Sequence, residues 1–252
     1  MSQVSIIMPL LNEADVLDRT LRCLTILDPQ PKDILLIDGG SSDTTVAIAQ
    51  HYAENYSQAI KISVLTTADC GRAIQMNQGA AAATGEILCF LHADTLVPDD
   101  LVALITQTLA QPDVVCGGFI ALMSGGQITR WGISCQNYLK TYYGALIARP
   151  YLFFCKGFRV LFGDQVMFCQ RQSFWNCGGF DTSLPIMEDA DLCIRIVNQG
   201  KIRLVNRIVH TSDRRFVKWG AFKATAIYHS MGWLWIMGVP ASFLKRFYEE
   251  IR

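Results

Sequence analysis

The sequence lacks an excess of either charge: Lys and Arg together number 22, and so do Asp and Glu. Without a basic surplus little is available to neutralise a phosphate backbone, which argues against nucleic acid as a partner. None of the nine cysteines stands in a Cys-x-x-Cys pair, so the common metal-binding spacing is missing. Cys89 and Cys193 lie inside apolar runs, which predicts reduced, buried thiols of a cytosolic chain. No uninterrupted apolar run reaches the roughly 20 residues of a membrane span. The nearest candidate, Ala221 to Leu244, is broken by Lys223, His229 and Pro240. No secretory signal precedes the first apolar run, so the expected location is cytoplasmic, with a peripheral position at the inner face of the membrane as the variant of that reading. A Gly-x-Gly-x-x-Gly after the first strand is missing too, which argues against a dinucleotide-dependent oxidoreductase. Internal repeats and low-complexity linkers are likewise lacking, so residues 1–252 are read as a single domain.

What is present is apolar material in short runs. At 51% hydrophobic and 17% charged residues, the composition excludes disorder. Val4 to Leu10, Ile34 to Ile37, Ile62 to Leu65 and Glu86 to Leu91 read as buried strands. Between them fall helical patterns: one after Asn12 with Val16, Leu17, Leu21 and Leu24 on one face, one capped by Ser41, Ser42 or Asp43, and one over Arg72 to Thr84 closed by Gly85. A fourth helix starts at Pro98-Asp99-Asp100. This alternation predicts an α/β fold with a mostly parallel, Rossmann-like sheet and helices on both faces. Ligands of such sheets sit at the carboxyl ends of the strands, where Asn12-Glu13, Asp38 and Asp94 all fall.

After residue 113 the pattern changes. Val114 to Met123 reads as a strand, 127 to 160 as an aromatic-rich irregular stretch, Val166 to Cys169 as a strand, Asp189 to Gln199 as a helix, and Ile202 to Val209 as a strand. Residues 216–252 form a C-terminal helical extension.

The segments "VSIIMPLLNE", "LLIDGGSSDTT", "FLHADT", "GGF" and "MEDADLCIRI" resemble, in order and spacing, family 2 glycosyltransferases of GT-A fold. "GDQ" at 163–165 and "HTSDRR" at 210–215 look like one bacterial branch of that family. The resemblance implies a nucleotide-binding half at 1–112, an acceptor and catalytic half at 113–215, and inverting sugar transfer from a nucleoside diphosphate sugar to an acceptor hydroxyl. It also implies a divalent cation, Mn²⁺ or Mg²⁺.

Residue roles follow from the resemblance, each with a plainer reading beside it. Asp38 would accept hydrogen bonds from the nucleoside, with Pro9, Asn12 and Glu13 shaping the loop beneath. As plain chemistry, Asp38 is a turn-former before Gly39. Asp94 occupies the last place of the family's Asp-x-Asp motif and would ligate the cation; a hard oxygen suits Mg²⁺ or Mn²⁺. His92 stands where the family more often has the first Asp; it either contacts the ribose or metal or is a satisfied strand-end histidine. Asp189, in the Glu188-Asp189 pair, would be the catalytic base; two acidic residues at a helix N-terminus also suit its dipole. Asp164 and Gln165 would read sugar hydroxyls, or form a polar turn. Arg72 would approach the nucleotide, or be solvated. Arg214 and Arg215 would hold the diphosphate and His210 would be a distal metal ligand, or all three would form a surface basic cluster. The stretch 219–247, with Trp233, Trp235, Phe243 and Phe247, reads as packing, a homodimer surface or a peripheral membrane contact, and a lipid-linked acceptor is an expectation of the same kind.

Two other function classes compete. A sugar-phosphate nucleotidyltransferase would need a Gly- and Arg-rich first loop, and "PLLNEADVL" has neither. A catalytically silent sugar-nucleotide binder is kept open by His92.

Overall fold

A computed structural model of the chain describes residues 3–56, 60–67, 71–125, 129–214 and 220–249. Arg215 and residues 216–219 lie outside the described residues, as do the side chains of Arg246 and Phe247.

Eight strands form one sheet: β1 (Val4–Leu10), β2 (Asp33–Asp38), β3 (Lys61–Thr66), β4 (Ile87–Phe90), β5 (Thr95–Leu96), β6 (Val114–Ser124), β7 (Phe168–Gln170) and β8 (Lys201–Ser212), in the order β3-β2-β1-β4-β7-β6-β8-β5. The first four are parallel neighbours, β7 runs antiparallel to β4 and β6, and β8 lies parallel to β6. The parallel strands carry continuous apolar runs because both faces are covered. Helices α1 (Ala14–Thr25), α2 (Thr45–Asn55) and α4 (Leu101–Leu109) enclose one core with Val4, Ile6 and Met8. Helices α3 (Arg72–Ala82) and α8 (Glu188–Ile196) enclose the other with Ile7, Leu35 and Ile37. Alternate residues of β1 thus feed opposite cores, as a period of two demands.

Chain order reverses between β1 and β4, since β2 and β3 extend one way and β4 begins the other. That is the topological switch point, the place beyond the strands' carboxyl ends where ligands of open α/β sheets bind.

Several local expectations are corrected. The stretch 127–160 is not irregular where it is described: α5 (Trp131–Ala148) and α6 (Pro150–Lys156) occupy it. Apolar and polar residues fall on every side of α5, so the pattern offers no single stripe to read. Gly85 does not close α3, which ends at Ala82; a Cβ at Gly85 would run into the carbonyl oxygen of Gln3 and stand 2.7 Å from Ser5 Oγ. The cap of α2 is Thr44 rather than any of the three residues before it. Among the described residues the cysteines are free, and of these Cys89, Cys116, Cys169 and Cys193 are buried, Cys23 and Cys177 are partly buried, and Cys135 and Cys155 are exposed. A short helix α7 (Arg171–Asn176) follows β7, and α9 (Ala221–Ile236) and α10 (Ala241–Glu249) form the C-terminal extension. Among the described residues no helix is long and apolar enough to cross a membrane.

Candidate active site

The loops after β1 and β2 are fastened into one wall. Asn12 takes a left-handed backbone (φ 53°), unusual for a side-chain-bearing residue but tolerated by Asn. Its N–H donates to Ser41 Oγ at 2.9 Å, and its Oδ1 accepts from the Ser42 N–H at 2.8 Å. The Glu13 N–H donates to Thr45 Oγ1 at 2.8 Å. Asp43 holds the N–H groups of Thr45 (2.9 Å) and Ala14 (3.3 Å), and these bonds, Thr45 first, keep its carboxyl below the usual range. Asp38, only 2% exposed, receives the N–H groups of Gly40 and Ser41. Its carboxylate therefore shapes the turn, as the plainer reading expects, at the place where a nucleoside would meet it. Pro9 lies within β1, paired with Ile37 of β2.

Behind this wall Gln75 of α3 donates from Nε2 to the carbonyls of Leu10 (2.8 Å) and Ile37 (2.7 Å), the last turns of β1 and β2. Sequence reasoning missed this residue, because a glutamine inside an alanine-rich helix looks solvated. Its mark is the glycine opposite: a Cβ at Gly39 would stand 2.9 Å from Gln75 Nε2.

The second wall comes from the β4 loop and the chain after β8. Arg214 Nη2 donates to Glu13 Oε2 at 2.9 Å and to Asp94 Oδ2 at 2.8 Å, so one cationic nitrogen bridges two carboxylates from different loops. Desolvation works against the charge on Arg214, but Asp94 and Glu13 outweigh it and hold the guanidinium above its ordinary range. The neighbouring Asp213, buried, pairs with Arg130 Nε at 2.6 Å just before α5. Asp213 was not singled out in the sequence either, since it sits in a run of charges that looks like surface. His210 is exposed on β8, opposite Leu96 of β5, with Nδ1 3.5 Å from Ser124 Oγ. Among the described residues no group of three or more His, Cys, Asp or Glu is arranged to hold a metal.

The third element is the start of α8 with the 3-10 turn at Gly163–Gln165. Glu188, 4% exposed, accepts from Arg72 Nη1 at 3.3 Å. Asp189 accepts the Gly163 N–H, and its carboxyl is pushed up to about 8, by burial first and then by the charge of Glu188 beside it. Arg72 and the Gly163 N–H pull the other way, and Asp164 adds to the rise. A methyl group at Gly163 would stand 2.6 Å from the His92 ring and 3.0 Å from Asp189 Oδ2, so this glycine lets His92 and Asp189 share one small space. Asp164 accepts from Asn137 of α5 at 3.4 Å. Gln165 is 1% exposed and spends its amide on the Phe162 N–H and Thr141 Oγ1, which anchors the turn to α5.

Contacts thus run unbroken from Asp38 through Ser41, Asn12, Glu13, Arg214 and Asp94, and His92 two residues away leads to Gly163, Asp189, Glu188 and Arg72. The arrangement can receive a dianionic or more highly charged ligand on its arginines, beside a carboxyl poised to exchange a proton. A depression of about 540 Å³ elsewhere, lined by Gln3, Thr84, Glu86, Arg171 and Trp175 at the amino ends of β1 and β4, contains none of these residues.

Residues 5–173 match the family model described as "Glycosyl transferase family 2". An uncharacterized glycosyltransferase, YibD of Escherichia coli, is 33% identical over 109 residues, 43% of this chain and 31% of its own length. A PGL/p-HBAD biosynthesis glycosyltransferase of Mycobacterium bovis is 29% identical over 227 residues, 88% of this chain and 80% of its own. The chain therefore spans under a third of the length of the first relative and four fifths of the second. Among solved structures, the mannosyltransferase PcManGT of Pyrobaculum calidifontis, in complex with GDP-Man and Mn²⁺, superposes with a TM-score of 0.69 at 20% identity, over 92% of this chain and 62% of that one. Glucosyl-3-phosphoglycerate synthase of Mycobacterium tuberculosis, with Mn²⁺, UDP and phosphoglyceric acid, gives a TM-score of 0.61 at 18% identity, over 95% and 80%. At these identities the likeness establishes a shared fold.

Proposed function

Because this chain belongs to glycosyl transferase family 2, we propose that it moves a sugar from a nucleoside diphosphate sugar to an acceptor hydroxyl by direct, inverting displacement, with Asp189 as the base and a divalent cation at Asp94. The observation that carries the proposal is the bridge Glu13–Arg214–Asp94 lying beside the space shared by His92, Gly163 and Asp189.

The residues fit the cation. Two hard carboxylate oxygens converge on Arg214 Nη2, a positive centre that stands in for a metal ion. One or two carboxylates, completed by phosphate oxygens and water, are the ordinary set for Mg²⁺ and suit Mn²⁺ as well. Among the described residues no third His, Cys, Asp or Glu is gathered there, so Glu13 and Asp94 would be the residues that hold the ion. When bound, it neutralises charge on the leaving nucleoside diphosphate.

The chain's own residues do the rest. Asn12, Asp38 and the 41–45 turn form a preorganised floor for the nucleoside. Arg214, seated between Glu13 and Asp94, would turn its guanidinium to the diphosphate, a geometry Arg favours. Asp189 accepts the acceptor's proton as the hydroxyl oxygen bonds to the anomeric carbon and the bond to the diphosphate breaks. Burial first, then Glu188 and Asp164, keep Asp189 basic enough for that task, and Arg72 restrains the rise. Residues 1–112 supply the donor half and 113–215 the acceptor half of a single domain.

The test is a thermal-shift screen of UDP, GDP, CDP and dTDP with and without Mn²⁺, on wild type and Asp94→Ala. At least one nucleotide should stabilise the wild type more with Mn²⁺ than without, and Asp94→Ala should lose the Mn²⁺ increment. An unchanged increment rejects Asp94 as a ligand. Binding of the matching nucleotide sugar with no hydrolysis or transfer, equal in wild type and Asp189→Asn, would make the chain a silent binder.

A further inference from the structure

Between Asp113 and Asp164 the sequence contains no acidic residue, and none between Asp213 and Glu249. The first stretch carries Arg130, Lys140, Arg149, Lys156 and Arg159. Three of these are occupied: Arg130 pairs with Asp213, Lys140 lies over the Phe162 ring, and Arg159 stacks on Tyr142 and Phe153. Arg149 and Lys156, at the two ends of α6, are exposed, and so is Lys223 in α9.

The same helices carry large apolar side chains in the open. Trp131, Tyr151 and Phe154 are 67%, 68% and 74% exposed, and Tyr138, Leu139 and Ile147 are also on the surface. Helix α9 packs on α5 through His229, whose Nδ1 faces the Thr225 carbonyl and whose Nε2 receives the Tyr143 hydroxyl at 3.0 Å. Beyond that contact Trp233 and Met237 are exposed, and Phe243 is exposed on α10. Exposed aromatic rings among basic residues, with no acidic residue in α5, α6 or α9 and one only at the end of α10, Glu249, are the composition of an interfacial surface on anionic lipid.

We propose that α5 and α6, continued by α9 and α10, dock on the surface of an anionic phospholipid bilayer. A second copy of this chain fits poorly, because a two-fold contact would bring Arg149 and Lys156 of both copies into one interface with no carboxylate on α5 or α6 to compensate. The opposite side of α5 gives Asn137 to Asp164 at the proposed acceptor side of the site. Docking would therefore hold that side near the bilayer, and the acceptor class is a hydroxyl carried by a lipid; this last clause rests on the proposed function, whereas docking does not.

The experiment is co-sedimentation of the full chain with vesicles of phosphatidylcholine alone and of phosphatidylcholine with phosphatidylglycerol. Binding is expected to the mixed vesicles only, and to weaken as salt rises. Tyr151→Ser with Phe154→Ser, and separately Arg149→Glu with Lys156→Glu, should each cut the partition coefficient about tenfold or more. These side chains are exposed, so the variants should fold, and an unchanged nucleotide thermal shift checks it. No binding to mixed vesicles, or equal binding by all variants, overturns the proposal. So does a wild-type dimer in velocity sedimentation that the same substitutions dissolve. Failure of the nucleotide screen with vesicle binding intact would reject the proposed donor site and leave the docking surface standing.

Discussion

Replacing Asp189 by Asn tests whether the carboxyl at the head of α8 is held protonated. In an unfolded chain it ionises near 3.8, and in the folded protein near 8. Between those values the native state keeps a proton that the unfolded state has released. Stability therefore falls as pH rises through that window and levels off above about 8. Each pH unit of displacement is worth about 1.4 kcal/mol. Asp189 keeps part of its surface in solvent, so only about half of the displacement is taken as realised, or about 3 kcal/mol. Asn carries no charge at any pH and fills nearly the same volume. Asp189→Asn should thus match the wild type only below about pH 4, lead it modestly at about pH 5 and exceed it by the full amount near pH 9. At about 2–4 °C per kcal/mol for a domain of this size, the melting temperatures should diverge by about 6–12 °C. Scanning fluorimetry of both proteins from pH 5 to pH 9 gives the answer, and parallel curves across that range would refute the reasoning. Turnover should show the matching limb: kcat/KM of the wild type should rise with pH toward about 8 as the base loses its proton, and Asp189→Asn should lose turnover while keeping donor affinity.

Two further outcomes are expected. Arg214→Ala removes the cation already seated between Glu13 and Asp94, so Mn²⁺ without nucleotide should bind the variant about tenfold or more tightly than the wild type; electron paramagnetic resonance of free Mn²⁺ measures this, and equal affinities would mean that Arg214 does not compete for the site. Gln75→Ala strips buried donors from the carbonyls of Leu10 and Ile37 and should cost about 3 kcal/mol in urea unfolding; a loss below about 1 kcal/mol would show that water takes over those bonds.

The first half of the fold was legible because the physics there is simple. Strands buried on both faces read as unbroken apolar runs, and carboxylates just beyond their ends must share an edge of the sheet. The residues that rigidify the site were not legible. Gln75, Asp213 and Asn137 are polar residues in helical or charged surroundings, which sequence pattern assigns to solvent. Their partners are backbone carbonyls and side chains far along the chain. The aromatic stretch was read as irregular for a related reason. Helix α5 contacts β6 and α9 and presents rings outward as well, so its apolar residues mark no single side.

Asp213 and Arg214 are covalent neighbours with separate duties, one clamping Arg130 ahead of α5 and the other bridging Glu13 to Asp94. A single peptide link, about 3.8 Å from Cα to Cα, thus sets the distance between the helix that borders the proposed acceptor side and the carboxylates of the proposed donor side. One residue inserted there would stretch that spacing by more than a hydrogen bond tolerates. The dipeptide works as a gauge block: both jaws of the cleft are registered from the same short piece of backbone.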